Sequence, residues 1–393
     1  MPTRLLPRLT MLLLAGLVAA PVACARTDAE PSDGGFFSKF RDPEDGRLDM
    51  SSWLIDRKGA LPVPVFITEP AIGYGGGIAL LYFRRQAGQA DTRTTSDGDV
   101  RPITPNLFGG VAAGTENGTR AAGAGASMHF GDDRWRYKGG ISRMSVNLDY
   151  YLDTPSAGTR KIGYNVDGTV SLQQGQRRFG DDVYLGLRWL YVDFDQKLDV
   201  ESDNELIDPR ERSERSSGLG FNLEVDLRDN AFTPSSGWTG VVETTFFTPD
   251  FGSDTRYELY RGKAYGYLPL AAGRLVLGGR VDVRAANGDV PFYMQPFVEL
   301  RGIPAMRYQD RRTAVLETEA RWNIDKRWAL VGFIGAARAW GREHGFDEVG
   351  TAVAKGAGFR YLLARRMGLY TGLDVGWGPD ERAFYVQVGS AWR

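Results

Sequence analysis

The chain has 393 residues, and its 48 basic and 49 acidic side chains leave a net charge of −1, with no basic excess to suggest nucleic acid. One cysteine and two histidines, His129 and His344, argue against a disulfide framework, a metal centre or any other cofactor site. Mean hydropathy is −0.31 and nowhere after residue 25 do 18 uncharged apolar residues run together, which excludes helical membrane spans, while 12% aromatics beside 50 glycines suit strands that alternate apolar and polar faces.

In chain order, Arg4 and Arg8 precede an apolar run from Met11 to Val22, and Ala23-Cys24-Ala25 offers a small-residue cleavage site. Residues 1–25 therefore read as a secretory signal peptide cut before Arg26. The alternative is acylation of Cys24, although a lipoprotein box would place a larger aliphatic residue where Pro21 stands. Residues 26–61 are acidic and mixed. Asp42-Pro43-Glu44-Asp45-Gly46 is a turn, and Ser51–Lys58 allows a short helix capped by Asp49 or Ser51. This segment is either a disordered periplasmic tail or a small plug.

From residue 62 to 393 the periodicity is two. In Ser217–Arg228, Leu219, Phe221, Leu223 and Val225 alternate with Gly220, Asn222, Glu224 and Asp226. In Leu275–Ala285, Leu277, Val281 and Val283 alternate with Arg280, Asp282 and Arg284. Ile162–Gln173 sorts Ile162, Tyr164, Val166, Val170 and Leu172 against Asn165, Asp167, Thr169, Ser171 and Gln173. Alternation sustained this long is a strand signal, and the length suits a tilted strand that crosses a bilayer, roughly 9–11 residues.

Sixteen such segments lie near 63–68, 71–84, 103–114, 119–130, 135–150, 160–175, 182–196, 215–227, 237–248, 255–269, 273–286, 311–324, 327–340, 352–365, 367–377 and 383–393. The fold expected is all-β: a closed antiparallel transmembrane β-barrel of about 16 strands with a short N-terminal periplasmic tail, in the bacterial outer membrane. Gly131-Asp132-Asp133, Ala271-Ala272-Gly273 and Ala364-Arg365-Arg366 are tight turns for the periplasmic end. Asp199–Arg215, Asn287–Asp310 and Arg342–Gly350 are long external loops. Arg84–Pro102 is long and polar, yet parity assigns it to the short-turn end. The last segment should face lipid through Phe384, Val386, Val388 and Trp392, a C-terminal sorting strand that closes on the first.

Two motifs resemble the BamA/TamA superfamily of barrel-assembly factors and secretion transporters. Asp226-Leu227-Arg228-Asp229-Asn230-Ala231-Phe232-Thr233-Pro234-Ser235-Ser236-Gly237 resembles its Asp-x-Arg-Asn-x-x-Pro-x-x-Gly hairpin, in which Asp226, Arg228, Pro234 and Gly237 match. Read without the resemblance, it is a turn punctuated by proline and glycine. Leu300-Arg301-Gly302-Ile303 resembles the (Val/Ile)-Arg-Gly-(Phe/Tyr) signature, which the family carries on its sixth external loop between strands eleven and twelve. The segment count places Arg301 between the same two strands. Pro64–Gly77 is similar to the barrel start of single-domain surface-antigen members.

The resemblance implies an inward-folded sixth loop whose Arg301 and Gly302 lock against a lumen carboxylate, Glu319 or, second, Glu317. In a watery lumen such a pair would contribute on the order of 1 kcal/mol. Two departures stand out. Residues 26–61 are too few for a periplasmic POTRA domain, so the resemblance is to a single-domain member. The family's strand-thirteen aspartate, in Phe-x-Asp-x-Gly, is replaced in Phe333-Ile334-Gly335-Ala336-Ala337 by Gly335.

The resemblance implies insertion or translocation of protein or lipid, with outer-membrane lipids and the barrel-assembly machinery as partners and the client unnamed. A diffusion pore sharing the fold is the alternative. A barrel enzyme is disfavoured, because neither histidine adjoins a serine motif and no catalytic residue is evident.

Overall fold

The computed structural model describes residues 40–392, apart from 56–59, 70, 85–91, 97, 99, 104, 155–157, 200–211, 343–344 and 380. The signal segment 1–25, Cys24 and His344 lie outside the described residues.

Sixteen strands form one sheet. They are β1 (Leu61–Glu69), β2 (Gly73–Arg84), β3 (Asn106–Thr115), β4 (Arg120–Phe130), β5 (Trp135–Thr154), β6 (Gly158–Phe179), β7 (Val183–Asp199) and β8 (Arg212–Asp226). Then come β9 (Gly237–Phe247), β10 (Tyr257–Leu270), β11 (Leu275–Gly288), β12 (Arg312–Asn323), β13 (Trp328–Trp340), β14 (Ala352–Ala364), β15 (Leu369–Trp377) and β16 (Arg382–Val388). Each pairs antiparallel with the next in chain order. The edge strands β1 and β16 lie side by side, which makes the sheet a nearly closed barrel. Among the described residues no ladder joins them. The barrel expected from the sequence is thus present, and it closes at a seam between its first and last strands. Pro62 and Pro64 remove two backbone donors from β1, a composition tolerated only on an edge strand.

Alternation sorts the faces. On β8, Leu219, Phe221 and Leu223 point outward and are exposed, while Asn222 and Glu224 point inward and are buried. On β11, Leu277, Val281 and Val283 point outward, with Arg280 and Asp282 inward. Each large apolar side chain left in water would forgo about 1.5–3 kcal/mol of burial, so this belt requires an apolar surrounding.

From Asn165 to Gln173 of β6 the apolar phase turns inward. The register sets Ser171 opposite Ile141 and Gln173 opposite Trp189, and both of those apolar partners are exposed outward. Val166 and Val170 therefore point inward, where they join Met144, Val146, Val192, Phe194, Tyr293 and Met294 in an apolar core. Strands β5 and β6 run 20 and 22 residues, further than any bilayer crossing requires, so a polar outer face is compatible with their outer parts.

The Arg84–Pro102 segment is explained by a small hairpin, Thr92–Thr94 paired with Val100–Pro102. Its Arg93 bonds Asp182 at 2.7 Å and its Ser96 backbone bonds Asp181 at 3.0 Å, so the long connection folds against the β6–β7 turn. Of the N-terminal segment, residues 40–55 are described: Ser51–Ile55 is one short helix, α1, and Met50 N donates to Leu363 O at 2.7 Å.

The last strand ends at Val388, not at residue 393. Gly389 turns at φ +76° and its N–H donates to Tyr370 O. Phe384 is exposed and Val386 shares its face, but Val388 is buried with Ala364 and Leu369. Trp392 is buried inside the barrel. The C-terminus is therefore not a continuous lipid-facing strand.

Candidate functional site

Strand β12 builds one wall of the site. Its period of two buries Thr313, Val315, Glu317 and Arg321 on the inner face and exposes Leu316 and Trp322 on the outer. The loop between β11 and β12 meets this inner face. Its Tyr293, Phe297, Val298, Leu300 and Ile303 are all buried to 2% exposure or less. Val298, Leu300 and Ile303 pack with Val315, Ala337, Ala352 and Ala354 of β12, β13 and β14.

Arg301 stands among carboxylates. Its Nε donates to Glu317 Oε1 at 2.7 Å and its Nη1 to Asp374 Oδ2 at 3.0 Å. Glu319 Oε2 lies 2.7 Å from Nη1 as an ion pair, but without hydrogen-bond alignment. The order expected from sequence is thus inverted, with Glu317 the better-aligned partner. Nor is the fork bidentate to one carboxylate, because its donors are shared among separate strands. The guanidinium carbon sits 3.7 Å above the Phe333 ring, which adds a cation–π contact and excludes water from that face.

Each acid has further partners. Glu317, fully buried, also accepts from Arg280 Nη1 at 3.3 Å and from the Trp392 indole N–H at 2.7 Å. Asp374 accepts from Arg360 Nη2 at 2.9 Å. Each buried charge thus faces an opposite one, as a low-dielectric interior requires.

The glycine in place of the strand-thirteen aspartate has a steric reason. A β-carbon at Gly335 would stand 2.5 Å from Leu300 Cδ1, so the loop leucine occupies that space. The carboxylate comes instead from Asp374 on β15. Gly302 completes the seat: its φ is +91°, its N–H donates to Tyr385 Oη at 2.7 Å, and its backbone rests on Gly376 and Gly378.

The Asp226–Gly237 hairpin has a different role in the fold. Arg228 pairs with Asp226 at 2.7 Å, and Asn230 Oδ1 caps the Phe232 and Thr233 amides. Gly237 is held at φ +86°, where a β-carbon would overlap Leu227 O. The turn reaches other strands: Arg321 of β12 donates to the Pro234 carbonyl at 3.1 Å, and Asn230 donates to Met367 O at 2.9 Å. It lies apart from Arg301 and braces the short-turn end.

Sequence reasoning missed Asp374, Arg360 and the inward Trp392. Leu373-Asp374-Val375 does place Asp374 on the polar phase of β15, but nothing local says that β15 meets the loop. No group of His, Cys, Asp and Glu suited to a metal occurs among the described residues.

The Omp85 superfamily domain matches residues 126–378. Among solved structures, BamA from Haemophilus ducreyi lacking POTRA domains 1–3 is similar at TM-score 0.56 and 12% identity, over 84% of this chain and 70% of that one. CdiB from Escherichia coli is similar at TM-score 0.56 and 13% identity, over 83% of this chain and 61% of that one. CdiB from Acinetobacter baumannii gives 0.53 and 10%, over 84% and 59%. A comparison with curated proteins finds no match.

Proposed function

The chain belongs to the Omp85 superfamily, and on that premise we propose that it is an outer-membrane barrel that inserts or translocates a protein or lipid client, its lumen gated by an inward-folded sixth loop. The observation that carries this reading is the seat of Arg301 on Glu317 and Asp374. A constitutive diffusion pore needs a clear path. A loop with five buried apolar residues and a buried ion pair obstructs one. The similarity to BamA and CdiB barrels supports a role with macromolecular clients.

Conductance across planar bilayers tests the gate. The intact chain should show low, intermittent conductance, and a variant lacking Val290–Tyr308 should show a large steady one. A large steady conductance from the intact chain would instead establish the diffusion pore.

A further inference from the structure

We propose that the outward wall of β12–β16 carries a binding site for a phosphate-bearing lipid, with Lys355 and Arg382 on the headgroup and a groove of small residues for one acyl chain. The proposal rests on the barrel spanning a bilayer.

The register places the residues. Ile334 pairs with Lys355, Lys355 with Trp377, and Trp377 with Arg382. Paired residues share a face, and Ile334 and Trp377 are exposed outward, so Lys355 and Arg382 point outward too. They stand two strands apart, about 10 Å, with the Trp377 indole between them. Long side chains from that separation can converge on one phosphate above the ring. All three lie at the long-loop ends of their strands, where β14 and β16 begin and β15 stops. That is the height of the headgroups, and tryptophan is enriched there.

A cation on the lipid-facing side of a strand needs a partner or a route to water. Both side chains are exposed, and neither has an acid within ion-pairing distance among the described residues. Arg338, the next cation outward, is already engaged by Thr351 Oγ1 and the Phe346 carbonyl. Among the described residues, then, Lys355 and Arg382 present positive charge that no acid pairs to the anionic layer of a bilayer.

Beneath this row the wall is hollow. Ala320, Gly332 and Ala357 pair across three consecutive strands, one outward step further into the membrane. With Leu277, Ile334 and Trp377 as rims they line a depression of about 670 Å³ that includes Lys355. A β-carbon at Gly332 would meet nothing within 4 Å, so the space is open. Charge at the headgroup level above an apolar trough is the pattern of an acylated phosphate, and a free anion would not use the trough.

The test is native mass spectrometry of protein extracted from liposomes of phosphatidylcholine with phosphatidylglycerol. The intact chain should retain phosphatidylglycerol in preference. Lys355→Gln/Arg382→Gln should lower that retention by about fivefold for each cation removed, leaving phosphatidylcholine unchanged. Gly332→Leu, whose β-carbon meets nothing within 4 Å and whose side chain would extend into the trough, should lower retention with both cations in place. Equal retention of the two lipids, wild-type retention by either variant, or displacement by inorganic phosphate would each overturn the site. Flotation of the protein with the liposomes separates this failure from failure of the membrane reading itself.

Discussion

Arg301 sits where its removal is felt by at least two acids. The site is 7% exposed and packed on Phe333, so the value of about 1 kcal/mol expected for a pair in a watery lumen does not apply. Breaking one partner of a buried pair costs about 3–5 kcal/mol when the other charge is stranded. Here Arg280 still holds Glu317 and Arg360 still holds Asp374. Arg301→Ala should therefore cost an intermediate amount, roughly 2–3 kcal/mol in urea unfolding from detergent micelles. Arg301→Lys should recover little of it, because one ammonium cannot reach acids on β12 and β15 while lying flat on a ring. Combining Arg301→Ala with Glu317→Gln should give less than the sum of the two, and strict additivity would show that the contact is incidental. Glu317 was legible because the β12 alternation aims it inward. Asp374 was equally regular in its own strand, but the neighbour it serves is decided by how the loop lands, and no local periodicity encodes that. Gly335 reads in sequence as a lost partner, whereas in the fold it is the room that Leu300 needs.

Among the elements, the N-terminal segment departs furthest from what its composition suggests. An acidic stretch around Asp42-Pro43-Glu44-Asp45 resembles a tail only while its partner is out of view. That partner is Arg327 in the β12–β13 turn, fully buried and enclosed by Asp42, by Asp45 at 2.7 Å and by Asp49 at 2.7 Å. Arg47 pairs with Asp325 of the same turn at 2.9 Å. The Arg327 and Trp328 amides and Arg47 hold Asp325 down at about 2. A hydrogen bond from Arg327 lowers Asp45; burial raises Asp49, but hydrogen bonds from Ser51 and Arg327 outweigh it and bring it below the usual range. Carboxyls whose folded-state values are depressed stabilise the docked state in full above the free value of 3.8 and lose that contribution as pH falls through it. Hydrogen exchange over residues 40–55 should thus show protection that is flat from neutral pH to about 5 and declines between about 4 and 2. Arg327→Ala should abolish that protection at neutral pH, and protection independent of pH would mean that the carboxylates do not anchor the segment. Strand number could be read from periodicity, since each strand carries its own alternation, but which phase faces outward could not always be, as the inward Val166 and Val170 of β6 show. The docking of this segment could not, because its contacts join residues some 280 positions apart.

At the scale of the whole molecule, the question is what holds the two ends of a sheet that its ladder does not close. The seam contributes little, because β1 lacks two donors and β16 has only seven residues. The interior supplies the connection, because the loop between β11 and β12 reaches both ends: its Ala305 N–H donates to Glu69 of β1 at 2.8 Å and its Gly302 N–H to Tyr385 of β16. Tyr385 of β16 accepts from Gly302, Ser390 meets the Tyr267 hydroxyl at 2.9 Å, and the Trp392 indole stacks near Tyr265 and Tyr267 while it donates to Glu317. The chain end beyond the last strand is thus fastened to β10 and β12 on the inner face. A bulky side chain would not fit at Gly278, where a β-carbon would come within 2.8 Å of the Trp392 ring. Trp392→Ala should then act as a core truncation, costing about 3–5 kcal/mol. It should lower the temperature at which the folded gel band converts to the unfolded one. Deleting Tyr385–Arg393 removes most of β16 as well, exposes much of the β15 edge, and should prevent the folded band from forming, because an unpaired edge is not tolerated in hydrocarbon. Trp392→Phe separates packing from hydrogen bonding. If the inner stack is the main fastening, phenylalanine should restore most of the lost stability. Should Trp392→Ala instead melt like the intact chain, the interior staple would be dispensable, and the seam itself would have to hold the barrel together.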